Sequence, residues 1–151
     1  MKQGVYNSFS LDDDSEFDAD WALEQILMRP ALLRLGNLSI KCIKEFYRDS
    51  SSLAALFYDL DSSKMYEVEI HSGEVDFAYI TKAIEYWNLE ENNHSGSNHC
   101  IVIAAKAINY TTLRLLHLFT SNIPVIVLQL KTYETENHRG IVFTKVFPYF
   151  I

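Results

Sequence analysis

MYEVEIHSGEVDFAYITKAIEYW, Met65 to Trp87, decides how this chain folds. It reads as a strand, a glycine turn and a helix. Glu67, Glu69 and His71 fall at alternate positions of the strand, so they share one of its faces. After Gly73, the spacing of Phe77, Ile80, Ala83, Ile84 and Trp87 predicts the inner face of a helix. Two carboxylates and an imidazole on one strand face have three readings: a metal site, the remnant of one, or ordinary solvated surface.

Outward from this stretch, the order of elements follows from periodicity. ADWALEQILMRPALLRLG predicts a helix with Trp21, Leu23, Ile26 and Leu27 at helical spacing, capped by Asp18 or Asp20 and stopped or kinked by Pro30. NLSIKCIKEF alternates as a half-buried strand, with Leu38, Ile40, Cys42 and Lys44 facing one way. LAALFYD is apolar on both faces and reads as a central strand. It forms a hairpin with KMYEVEIH through DSSK. Beyond the Phe77–Trp87 helix come a polar loop (ENNHSGSN) and a buried strand (HCIVIAA). A helix follows (TTLRLLHLFTSN), with Leu113, Leu116 and Phe119 inward. Then come a strand (IPVIVLQLKTY), a turn (NHRG) and a returning antiparallel strand (IVFTKVFPYF). The order α, β, β, β, α, β, α, β, β predicts an α/β fold, a mixed β-sheet with helices on both faces.

Composition narrows the class. The 151 residues are 48% hydrophobic and suit one domain with a real core, set at 19–151 after a loosely ordered acidic segment, 1–18. Net charge is −7, and Asp12 to Asp20 holds six acids and no base. An acidic chain disfavours nucleic acid as the main partner. MKQGVYNSFS has no apolar run after its lysine, and no stretch reaches the ~18 apolar residues of a membrane span, so a cytoplasmic protein with no membrane partner is expected. Cys42 and Cys100 form no close pair and read as small buried thiols. His94, His99, His117 and His138 show no zinc spacing.

The element order, with EVEIHSGEVDFAYITKAIEYW and LEQILMRPALLRLGNLSIKCIKEF, resembles the PD-(D/E)XK nuclease superfamily over roughly residues 20–130. The first of these stretches is similar to that family's third strand and following helix, the second to its opening helix and first strand. The resemblance implies a restriction-endonuclease-like αβββαβ core and a metal-dependent phosphodiesterase site holding Mg²⁺ or Mn²⁺, hard cations that take oxygen ligands and activate water. Carried over by position, the helix glutamate of the family falls on Glu24, the third-strand glutamate on Glu69 and the lysine on His71. The second-strand aspartate falls on Ala54 or Ala55, neither of which binds metal. Asp59 stands roughly 13–16 Å further along that strand, at ~3.3 Å per residue. Glu67, about 6.6 Å from Glu69, is the available substitute ligand.

The resemblance therefore implies a degenerate site, with Glu24, Glu69 and His71 at catalytic positions and Glu24, Glu67 and Glu69 at metal positions. Its role would be binding or regulation through a protein partner or a homodimer, such as pairing with an active nuclease. The alternative is an active Mg²⁺- or Mn²⁺-dependent nuclease with a rearranged cluster of Glu24, Glu67, Glu69 and His71. A third reading is a structural subunit that dimerises to bury Trp87 or the C-terminal aromatics. The nuclease readings require the Glu69 carboxylate to share a cleft with Glu24; side chains on opposite sides of the sheet would remove them.

Overall fold

The computed structural model describes residues 19–49, 52–93, 98–119 and 124–148. The N-terminal segment 1–18, the candidate cap Asp18, His94, and the side chains of Lys44 and Phe119 lie outside the described residues. The elements are α1 (Ala19–Met28), β1 (Ile40–Asp49), β2 (Ser52–Asp59), β3 (Met65–Val75), α2 (Phe77–Asn93), β4 (His99–Ile108), α3 (Tyr110–Phe119), β5 (Val125–Thr135) and β6 (His138–Phe147), with a 3₁₀ turn at Pro30–Leu33. The order is the one that periodicity predicts.

The six strands form one sheet in the order β1-β2-β3-β4-β5-β6. β1, β2 and β3 make an antiparallel meander, β3–β4 and β4–β5 are parallel, and β5–β6 is antiparallel. The two parallel steps need crossovers, which α2 and α3 supply. A mixed sheet with helices on both faces is the result.

Each face has its own core. Ala22, Leu23 and Ile26 of α1 pack with Leu53, Ala55 and Phe57 of β2 and with Tyr66, Val68 and Ile70 of β3. On the other face, Ile80 and Ala83 of α2 and Leu116 of α3 pack with Ile101, Ile103 and Ala105 of β4. Large side chains buried this fully each contribute roughly 1.5–3 kcal/mol, so the two layers hold the helices firmly to the sheet. Arg139 of β6 lies over the Trp21 ring at 4.1 Å and ties α1 to that edge.

Three local expectations need correction. Gly73 does not end the third strand; β3 runs on to Val75, with a register shift between His71 and Glu74. Phe77 shares the phase of the inner stripe of α2, yet it is exposed, and the buried stripe begins at Ile80. The final hairpin turns at Glu136–Asn137, not over NHRG, because His138, Arg139 and Gly140 already pair with β5. Tyr133 sits opposite Gly140, and a Cβ there would fall 2.0 Å from the tyrosine ring. Glycine is what lets that ring lie across the hairpin.

The corner that joins β1 to the β2–β3 hairpin is built on Asp59. Its carboxylate accepts from the Ser39 amide, the Asp61 amide and the Ser62 hydroxyl. The Ser62 hydroxyl chiefly, with the backbone amides, holds this carboxyl below its ordinary range against the opposing effect of burial. No helix among the described residues is long and apolar enough to cross a membrane.

Candidate functional site

The strand period separates the candidate residues. Val68 and Ile70 face α1, so their neighbours Glu67, Glu69 and His71 face α2. The register agrees: Glu67, Glu69 and His71 stand beside Ile101, Ile103 and Ala105 of β4, all in the α2-side core. Across β2, Ser52 pairs with His71, Ala54 with Glu69 and Leu56 with Glu67. The residue opposite Glu69, where the aspartate of the resemblance would stand, is therefore Ala54. Ala55 points to the other face.

Glu67 and Glu69 are fully buried, at 0% exposure. They are not a solvated strand face. They lie in a polar seam beneath α2 that also takes in Glu90 and His99, both nearly buried. Trp87 closes one end of the seam, its indole N–H donating to the His99 carbonyl at 3.0 Å. Trp87 is half-buried in the chain itself, its ring tilted beside that of His99.

Glu24 does not join these groups. It is exposed on α1, the helix on the opposite face of the sheet. The expectation that Glu24 and Glu69 share a cleft is overturned, and so is the four-residue cluster of Glu24, Glu67, Glu69 and His71. The physical reason is strand parity: the β3 residues packed in the α1-side core, Tyr66, Val68 and Ile70, carry no carboxylate. Asp59 cannot stand in. It pairs at the far end of β2 and, by the same parity, points to the α1 side.

A nuclease metal needs several oxygen ligands converging on one point. Among the described residues, no group of three or more His, Cys, Asp or Glu side chains is gathered to hold one. The α1 face offers Leu53, Ala55, Phe57, Tyr66, Val68 and Ile70 at the positions where ligands would project. The α2 face offers two buried carboxylates with an alanine opposite. The residues present do not fit a Mg²⁺ or Mn²⁺ centre of the implied kind.

His71 marks an open part of this face. Its ring stacks on Tyr79 at 4.4 Å between centroids. Gly73 permits this placement, since a Cβ there would come within 3.0 Å of His71 Nε2. Around the pair lies a cleft of about 480 Å³ between the β2–β3 edge and the first turns of α2, lined by Ser52, Glu74, Asp76, Lys82, Glu85 and Tyr86 as well. Asp76 caps α2, its Oδ1 accepting from the Tyr79 amide at 2.9 Å. Sequence reading missed Tyr79, Lys82, Glu85 and Tyr86. Their signal was present, as polar and aromatic residues at i, i+3, i+6 and i+7 beside the buried stripe of α2.

Among the described residues the remaining titratable groups form no second centre. His117 is exposed on α3 and meets Phe147 edge-on, while His138 is exposed at the last hairpin. Cys42 and Cys100 are both free thiols. Burial chiefly pushes the Cys100 thiol up to about 11, which leaves it unreactive near neutrality.

The backbone is similar to solved endonuclease structures. EndoMS in its apo form superposes with a TM-score of 0.56 at 14% identity, covering 76% of this chain and 47% of that one. A repair endonuclease from Pyrococcus abyssi gives 0.54 at 16% identity, covering 79% and 50%. EndoMS in complex with double-stranded DNA gives 0.53 at 15% identity, covering 78% and 48%. This chain therefore spans about half the length of the proteins it superposes on. No family model and no curated protein matches it. Identities this low show the fold alone. The chain has a mixed α/β fold that matches these endonuclease structures.

Proposed function

We propose that this chain is a nuclease-fold protein without phosphodiesterase chemistry, acting as a binding or regulatory module. One observation supports the reading above others: neither face of the β2–β3 pair carries a complete ligand set. On the α1 side, among the described residues, Glu24 is exposed on its helix while the strand positions packed beneath that helix carry no carboxylate. On the α2 side Ala54 opposes Glu69, and the carboxylates there are fully buried. A hydrated cation and a phosphodiester cannot reach a side chain with no exposed surface. Removing one required ligand from a metal site already forfeits most of the rate it supplies.

The net charge of −7 points the same way, because a phosphate backbone is repelled by an acidic chain. A protein partner, or a second copy, is the binding role that fits this charge. The opposite placement of Glu24 and Glu69 removes the shared cleft on which the active and degenerate readings of the sequence rested, so the nuclease-like fold stands on the backbone likeness alone, which supplies nothing of a partner.

Incubation of the purified chain with single- and double-stranded DNA and with RNA, in Mg²⁺ or Mn²⁺, tests the reading. No cleavage above a metal-free control is expected. Cleavage that disappears in Glu69→Ala would overturn it and restore the active-nuclease alternative.

A further inference from the structure

We infer that the cleft beside His71 receives an organic cation, a guanidinium or ammonium group carried on an alkyl chain. The inference rests on the binding-module reading and names the chemistry of what is bound. At about 480 Å³ the cleft is in the size range of ligand sites. Three carboxylates, Glu74, Asp76 and Glu85, line it against one ammonium, Lys82. Among the described residues neither Glu74 nor Glu85 has an ion-pair partner. The tyrosines Tyr79 and Tyr86 supply ring faces of the kind that attract a cation.

Ser52 gives an independent indication. It lines the cleft, is 2% exposed, and its Oγ has no hydrogen-bond partner among the described residues. A buried hydroxyl left this way is disfavoured relative to one that is paired. A ligand N–H reaching the cleft wall supplies the missing donor. A guanidinium has several such donors and a flat face for the tyrosines.

Other ligand classes fit less well. An anion would be drawn to the α2 N-terminus, but the Asp76 carboxylate already occupies it. A nucleotide could stack on the rings, yet its phosphates would meet three carboxylates. A bare metal ion lacks a converging donor set.

The shared chemistry has two sources, an arginine or lysine side chain of a protein partner and a free polyamine-type metabolite. Nitrogen-15 NMR titration of the whole chain distinguishes them, using Nα-acetyl-arginine amide, agmatine, and Nα-acetyl-citrulline amide as the neutral isostere. Shifts confined to the His71–Tyr86 amides are expected with the cations and not with citrulline. A preference for the acetyl-arginine amide places the cation on a polypeptide; a preference for agmatine makes it a free metabolite. The double variant Glu74→Gln/Glu85→Gln changes only exposed side chains and should bind about tenfold more weakly, with its spectrum otherwise preserved. No localised shifts at the highest soluble concentration, equal shifts with citrulline, or undiminished binding by the double variant would each overturn the inference. Such a failure leaves the absence of cleavage untouched, and cleavage activity would in turn leave cation binding standing.

Discussion

Ala54→Asp restores, on paper, the carboxylate that a nuclease metal site would have opposite Glu69. The structure says it should instead damage the fold. Ala54 and Glu69 are cross-strand partners, and both have 0% exposure. Directly opposed Cβ atoms lie about 5 Å apart. Two ionised carboxylates held about that far apart would repel by roughly 3 kcal/mol at an effective dielectric near 20, and where one takes up a proton instead the same cost appears as a raised carboxyl pKa. The extra atoms add about 1–2 kcal/mol of overpacking. A total of about 4–5 kcal/mol is a large share of the roughly 5–15 kcal/mol that holds a domain together, and should lower the melting temperature by around 10 °C. Ala54→Asn carries the overpacking without the charge. The difference between the two variants in urea denaturation, about 3 kcal/mol, isolates the repulsion. Mn²⁺ should rescue neither. An Ala54→Asp protein as stable as Ala54→Asn, or one that Mn²⁺ stabilises and makes active, would refute the buried-seam reasoning.

Three further outcomes follow from single residues. Gly140→Ala should destabilise the last hairpin by about 1–3 kcal/mol, because a new Cβ would meet the Tyr133 ring; urea denaturation reads this directly. The Cys100 thiol, raised from 9.0 to about 11 mainly by burial, stabilises the fold fully below pH 9, and that contribution fades as pH rises through 11. Alkaline unfolding should therefore lose about 3 kcal/mol over this window and be shallower in Cys100→Ala; an unchanged alkaline slope would contradict it. The Asp59 carboxyl is held low by the Ser62 hydroxyl and backbone amides, so its contribution is present above pH 3.8 and lost as pH falls through its depressed value. Asp59→Asn should flatten the acid limb of stability and speed hydrogen exchange at the Ser39 amide; unchanged exchange there would count against the corner as described.

Much of the fold was legible because strand period and helix period differ. LAALFYD reads as a central strand and HCIVIAA as a buried one, and both lie inside the sheet. The meander followed from short turns such as DSSK, and the parallel steps from the helical periodicity between the later strands. The sidedness of the site was not legible. Period two groups Glu67, Glu69 and His71 on one face, but nothing local says which helix covers it. That depends on how the β3–α2–β4 crossover seats on the sheet, a long-range outcome. Hence Glu24 could be aligned with Glu69 in sequence while standing across the sheet from it. Burial was hidden for a related reason, since two glutamates on a strand read as surface until α2 is laid over them. Phe77 shows the same limit from the other side, apolar and in phase yet exposed. At Gly73, composition signalled a turn, whereas the glycine makes room for the His71 ring within a continuing strand.

β3 turns its carboxylates under α2, on the face of the sheet away from Glu24, and the proposed absence of phosphodiesterase chemistry rests on that separation. A crystal soaked in Mn²⁺ and measured at the manganese absorption edge tests this most directly. The expected result is no anomalous peak within bonding distance of Glu67 or Glu69, with both side chains on the α2 side of the sheet. A peak coordinated jointly by Glu69 and Glu24 would contradict it.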